Sequence, residues 1–429
     1  MDDLRKWFDS VENHKSNIVN LLVEGFSKVL NTTNAIEQIL DDKNIERTTK
    51  WLLNGNILQK ERNKKYGPDE SREGQLDLAL ENERFEGCLD PFGNGRGILK
   101  TINGINGLYE YLAQGNFVNW QLDGKVKERK SCTFIVDCLY SKGIRHGPYR
   151  KFDVSKKYVE VGYFVDGYTT GPFCSKYSGG CYVIGQRTSV NVLESCFFIY
   201  PNLEHAIYGK FALCQTDKSS AVRIIEGRFV RIIGLSWDGN FPFAVTETTN
   251  SEPLEFEQST DATICQHLSL PDPYEEDTVL VATSKESKAG EGLFAKKFIP
   301  ARRVVCFFNG VRYLKRRSEC GKSYKPSEYR VSLDKFTDLD IPRKYSSLKD
   351  YKATLGHKAC HSFDERKINV KFENFQHPRF GEIIGLVTIC DINNGDEILV
   401  NYNYKNIQKA PEWYKSLWKS HKAQFNRQE

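Results

Sequence analysis

The chain has 429 residues, 39% of them hydrophobic, enough for about three domains with buried cores. Its 61 basic and 56 acidic residues leave a net charge of only +5, too little for an electrostatic nucleic-acid footprint on a chain this long. No window reaches the roughly 20 apolar residues of a membrane span, the start MDDLRKWFDS lacks a signal peptide's apolar core, and the cysteines are scattered from Cys88 to Cys390 without a CxxC pair or zinc spacing. The expectation is a cytosolic or nuclear chain with reduced, mostly buried thiols, no metal, no membrane partner and no direct nucleic-acid partner.

From Asp3 to about Leu58 the residues Trp7, Phe8, Val11, Ile18, Leu21, Leu22, Phe26, Val29 and Leu30 recur at three- and four-residue steps, which predicts two or three helices. The polar run Lys60 to Glu73 reads as a linker, so residues 1–75 form a helical extension. Lys64-Lys65 and Lys315-Arg316-Arg317 read as solvated loops rather than localisation signals.

From about Arg84 the chain turns to short aromatic and β-branched runs punctuated by glycine. Val136 to Gly143, continuing to Gly147-Pro148, overlays Glu160 to Gly167 and Gly171-Pro172 with a shift of 24 residues. Gly185 and Gly209 continue the period, and Phe85-Glu86-Gly87 with Gly93, Gly95 and Gly97 is an upstream copy. A period of this length with turn glycines implies stacked β-hairpins over residues 76–270, each burying a face only against its neighbours. The pattern resembles degenerate MORN repeats; an irregular antiparallel sheet would have nearly the same shape. Tyr109 to Trp120 lacks the expected glycines. Pro271 and Pro273 predict an end to strand pairing at Leu270 to Tyr274.

A series of short elements follows. Ala289-Gly290-Glu291-Gly292-Leu293-Phe294 brings small residues and one acceptor carboxylate ahead of the strand-like Val304 to Phe308. Then come Gly356-His357-Lys358-Ala359-Cys360-His361-Ser362-Phe363, Asn369, His377-Pro378-Arg379-Phe380-Gly381, Gly395-Asp396-Glu397 running into Asn401-Tyr402-Asn403-Tyr404, and Pro411-Glu412-Trp413-Tyr414. Tyr402 and Tyr404, two apart on a predicted strand, should share one face, with Asn401 and Asn403 on the other.

In this order, over Asp277 to Tyr414, the elements resemble the MORN-repeat SET-domain protein-lysine methyltransferases, a histone-lysine methyltransferase family. The resemblance implies a mainly β protein: a hairpin-repeat sheet, a SET domain with a knot-like crossing at 275–408, and a closing helix within 409–429. It implies a chromatin-associated, nuclear or also cytoplasmic, monomeric enzyme. Its methyl donor would be S-adenosyl-L-methionine and its substrate a histone tail or other lysine-containing protein. By the same resemblance Tyr402 is the catalytic tyrosine. Tyr404, Phe308, Phe372, Tyr329 and Ile384 line the lysine channel, and Ala289, Gly290, Glu291, Gly292, His357, Cys360, His361 and Trp413 hold the donor.

Residue chemistry agrees with that assignment. Methyl transfer from a sulfonium needs no metal or covalent nucleophile, only a positioned neutral amine. A lysine with a pKa near 10.4 costs roughly 4.6 kcal/mol to neutralise at pH 7, and an apolar channel helps supply this. Four positions depart from the family pattern. Cys360 stands for asparagine and Ile368 for proline, in a loop from Ser362 to Asn369 that is longer than the family's, while Phe308 and Phe372 stand for tyrosines. Two readings stay open on these grounds: an enzyme that adds two or three methyl groups, or a catalytically impaired paralogue that binds or scaffolds through its repeats. A third, in which the repeats dock a membrane or partner, has no basic patch to support it.

Overall fold

The computed structural model describes residues 58–67 and 75–425, apart from breaks at 80–82, 103–108, 131–133, 154–157, 188–191, 217–218, 239–240, 287–288, 316–326 and 405–406. The helices expected before Leu58 lie outside these residues. The expected linker is in part a helix, α1, over residues 58–66. Its run of lysine, arginine and glutamate favours helix, its Leu58 is buried in the sheet core, and Gly67, at a φ of 82°, ends it.

Fourteen strands, β1 (Gln75–Ala79) to β14 (Phe241–Glu255), pair in chain order as one antiparallel sheet. The shift of 24 residues corresponds to one hairpin. Between β6 (Phe134–Ser141) and β7 (Ile144–Asp153) the turn is Lys142-Gly143, with φ of 50° and 80°. Between β8 (Tyr158–Val165) and β9 (Tyr168–Lys176) it is Asp166-Gly167, with φ of 50° and 89°. Two positive φ values in a two-residue loop are the turn whose twist matches the strands.

The stretch that lacks the expected turn glycines still forms a hairpin, through Asn119-Trp120 at φ of 49° and 67°. Packing compensates for the strain: a Cβ on Gly93 would sit 2.4 Å from the Trp120 indole, so the ring covers that glycine. The sheet also encloses charge. Glu160 accepts from Tyr149 at 2.5 Å, from Tyr158 and from Arg187 at 2.8 Å, all within the buried face.

Strand pairing ends at Glu255, well before the prolines. Pro273 instead opens a short helix, α2 (Pro273–Thr278), capped by the Asp272 carboxylate on the Tyr274 amide at 2.9 Å. The hairpin β15 (Val279–Thr283) and β16 (Glu291–Ala295) follows, then β17 (Val304–Phe308) and a three-stranded sheet of β18 (Val311–Leu314), β19 (Val331–Ser332) and β20 (Thr337–Asp340). A five-stranded sheet has the order β17, β23 (Gly381–Thr388), β22 (Val370–His377), β24 (Leu399–Val400), β21 (Cys360–His361). Here β24, last in the chain, lies between β22 and β21, so the segment from Ser362 to Asn369 passes over it: this is the knot-like crossing. The closing helix α3 spans Glu412–Phe425.

The HPRFG element joins the two sheets. The Pro378 carbonyl accepts the Ile224 amide at 2.9 Å, and the Arg379 carbonyl accepts the Glu257 amide at 2.9 Å. The Arg379 side chain, fully buried, meets the Glu257 carboxylate at 3.3 Å and the carbonyls of His267 and Leu270. Of the nine cysteines whose side chains are described, seven are buried and none is bridged.

Candidate active site

The register of the five-stranded sheet brings the expected channel residues together. Phe308 pairs with Ile384 across β17 and β23, and Phe372 pairs with Leu386 across β22 and β23. Paired residues share a face and Ile384 is two residues from Leu386, so Phe308, Ile384 and Phe372 line one face. Phe307 points the other way, its ring 4.9 Å from Phe375 and 4.7 Å from His377, toward the repeat sheet.

Tyr402 closes over the first face. Its ring stacks on Phe372 at 6.4 Å, Tyr404 lies 6.4 Å away at 70°, and its hydroxyl donates to the Ala359 carbonyl at 2.9 Å. The residue is half-buried, and burial of the hydroxyl pushes the phenol pKa well up, so the group stays protonated. The expected strand through both tyrosines does not form, because β24 stops at Val400. Asn403 takes a φ of 51° and the Asn401 side chain accepts the Asn403 amide at 2.8 Å. This local turn, not strand alternation, brings the two rings together.

The crossing locks these residues against the GHKACH segment. Cys360 pairs with Leu399 and His361 with Val400 in parallel. Asn369 brackets the inserted strand, donating to the Glu397 carbonyl at 2.7 Å and accepting the Leu399 amide at 2.9 Å. His361 Nδ1 lies 3.2 Å from both the Val400 carbonyl and the Tyr402 amide, and its ring packs on Tyr402 and Tyr414. Burial pushes its pKa down to about 4, so the ring is neutral.

On the other side of Cys360 stands the glycine hairpin. Gly290 has a φ of 77°, and an added Cβ would meet nothing within 4 Å. Gly292 has no such room, since a Cβ there would fall 2.4 Å from Glu397 Oε1. The Glu397 carboxylate holds the hairpin's start, accepting Ser284 Oγ at 2.5 Å and the Lys285 amide at 2.8 Å. Ala289 is exposed at the turn. The Glu291 carboxylate, expected to be a free acceptor, is taken by the buried ammonium of Lys358 at 2.6 Å. A lysine so enclosed needs a counter-charge.

The Cys360 thiol donates to the Glu291 carbonyl at 3.3 Å and lies 3.8 Å from the Lys358 carbonyl, so sulfur occupies the asparagine position as a weak hydrogen-bonding group. His357 is buried between Tyr329, 5.6 Å away and edge-on, and Tyr351 at 5.8 Å. Burial pushes its pKa down to about 3. Trp413, 39% exposed, presents its indole 6.2 Å from Tyr402. The roles of Glu397 and Lys358 were not legible in the sequence although both stand inside recognised motifs, because no spacing reveals which residue a carboxylate or ammonium will meet.

These residues fit an adenosyl sulfonium. Neither nitrogen of His357 nor Nε2 of His361 has a hydrogen-bond partner although all three are buried. An exposed indole offers a flat face, and aromatic rings suit a cationic sulfonium.

Residues 290–403 match the family model described as "SET domain". The fold and site thus define a SET-domain protein. Over 283 residues, 64% of this chain and 70% of the relative, the sequence is 31% identical to "Histone-lysine N-methyltransferase SETD7" of Halocynthia roretzi. The chain belongs to the SET-domain histone-lysine N-methyltransferase family, whose methyl donor is S-adenosylmethionine, and its hairpin sheet is consistent with MORN repeats. Among solved structures, the "crystal structure of KRYPTONITE in complex with mCHH DNA, H3(1-15) peptide and SAH" is 19% identical over 29% of this chain and 23% of that one, at a TM-score of 0.21 too slight to bear on function.

Proposed function

We propose that this protein transfers methyl groups from S-adenosylmethionine to the ε-amine of a lysine in a protein substrate, and that it adds two or three. The observation that carries the reading is the single face on which Phe308, Ile384, Phe372 and Tyr402 converge. It is an apolar slot, with a protonated phenol at one end and tyrosines replaced by phenylalanine on its walls. Such a slot favours the neutral amine over the ammonium, and the missing hydroxyls leave room for methyl groups already added. The donor supplies a methyl group on an activated sulfonium. The chain's own residues orient the amine, exclude water and hold the donor with Gly290 to Gly292, Cys360, His361 and Trp413. The test is mass spectrometry of histones and lysate proteins incubated with the protein and methyl donor: di- and trimethyl-lysine support the reading, and exclusive monomethylation sinks its finer half.

A second reading, an impaired paralogue acting as a binding module, draws on Cys360, a weak donor where the family has an amide. Calorimetry with S-adenosylmethionine decides between them. Micromolar binding together with turnover leaves the impaired reading without support, and absence of both favours it.

A further inference from the structure

A buried carboxylate outside the matched SET region links the two halves of the site. Glu275, on α2, is fully buried. Its Oε1 accepts the Phe307 amide at 2.6 Å and its Oε2 accepts the Leu355 amide at 2.6 Å. The first amide belongs to β17, the edge strand of the five-stranded sheet, where no further strand pairs with it. A buried edge N–H needs an acceptor, and here one carboxylate oxygen takes the place of a neighbouring strand. The second amide opens the turn Gly356 to Lys358 that carries His357. That turn abuts the same strand directly: a Cβ on Gly356 would fall 2.5 Å from the Phe307 carbonyl oxygen.

One side chain therefore grips the backbone beside Phe308, on the channel wall, and the backbone beside His357, on the donor side. Resting on the function proposed above, we infer that Glu275 is a positioning residue that sets the spacing between the lysine channel and the methyl-donor pocket. It touches neither ligand. In either protonation state both of its oxygens can accept, whereas the amide of glutamine must present N–H to one of two N–H donors. Glutamine thus keeps the shape and removes one anchor.

The test uses the full chain carrying Glu275→Gln, with Glu160→Gln as a control: the same change at a buried carboxylate in the repeat sheet. Glu275→Gln should weaken S-adenosylmethionine binding by about tenfold in calorimetry and lower kcat by at least as much. It should also speed amide exchange at Phe307 and Leu355. The control should lower the unfolding midpoint while donor affinity and kcat stay within about twofold. Folded Glu275→Gln protein with affinity, kcat and exchange like wild type overturns the inference. Should the glutamine variant not fold, Glu275→Asp keeps both oxygens on a shorter stem: loss in affinity, kcat and exchange protection supports the inference, and wild-type values of all three overturn it. A wild type that binds donor but transfers no methyl group would refute the proposed function, while calorimetry and exchange would still report on Glu275.

Discussion

The Tyr402 hydroxyl donates to the Ala359 carbonyl at 2.9 Å, tying the chain just beyond β24 to the residue before β21, the strand that β24 lies beside. The ring that carries it stacks on Phe372, a wall of the proposed slot, so one residue serves both the crossing and the proposed chemistry. Tyr402→Phe should therefore reduce methyl transfer by about a hundredfold or more while removing one hydrogen bond worth about 1 kcal/mol. Radiolabelled transfer should collapse with donor affinity nearly unchanged in calorimetry. Equal loss of both would contradict the assigned role.

Restoring hydroxyls to the channel should count methyl groups. Phe372→Tyr stands against Tyr402, and Phe308→Tyr stands opposite Ile384. Each adds an oxygen that fills space and can hold an amine, so the product distribution should shift toward monomethyl-lysine. Mass spectrometry reads this directly, and an unchanged distribution in both variants would remove Phe308 and Phe372 from the specificity argument.

Cys360→Asn should tighten donor binding. The thiol's donated contacts, to the Glu291 and Lys358 carbonyls, are weak, whereas an amide donates and accepts strongly. One gained hydrogen bond is worth about 1 kcal/mol, about fivefold in affinity. A lower affinity in the asparagine variant would mean that this pocket has adapted to sulfur.

The joint between the sheets should be sensitive to loss of its ion pair. Arg379 and Glu257 are both fully buried, and Arg379→Ala leaves the carboxylate without its partner. Breaking such a pair destabilises by about 3–5 kcal/mol, so the unfolding midpoint should fall sharply in thermal scans. Surface pairs such as Arg366 with Asp364 should contribute far less.

Acid should weaken the repeat sheet through Glu160. Burial alone would raise its pKa, but Arg187, Lys151 and the hydroxyls of Tyr149 and Tyr158 outweigh burial and hold it at about 2, below the ordinary 4.5. A depressed pKa stabilises the fold above the unfolded value and is lost as pH falls toward the folded one. Stability should therefore decline between pH 4.5 and about 2, and Glu160→Gln should flatten that decline in equilibrium unfolding.

The hairpin sheet and the SET motifs were legible because each is written locally. Lys142-Gly143 and Asp166-Gly167 specify their turns with two residues, and the glycine-led elements fall in chain order. Composition and periodicity misled where a local effect won. The Lys60 to Glu73 run has the composition of a linker, yet its charged residues are good helix formers and Leu58 gives them a core to dock on. Tyr402 and Tyr404 share a neighbourhood through the turn at Asn403, not through a strand.

By itself the sequence determined the turns, the alternation of buried and half-buried faces along β8, and which motifs occur, since these depend on neighbours a few residues apart. Only the tertiary structure decided that Phe308, Ile384 and Phe372 share a wall, that Lys358 occupies the Glu291 carboxylate, and that HPRFG is a joint. Those are contacts between residues tens to more than a hundred positions apart. Strand register and the burial of unpaired charge choose them, and neither leaves a period in the chain.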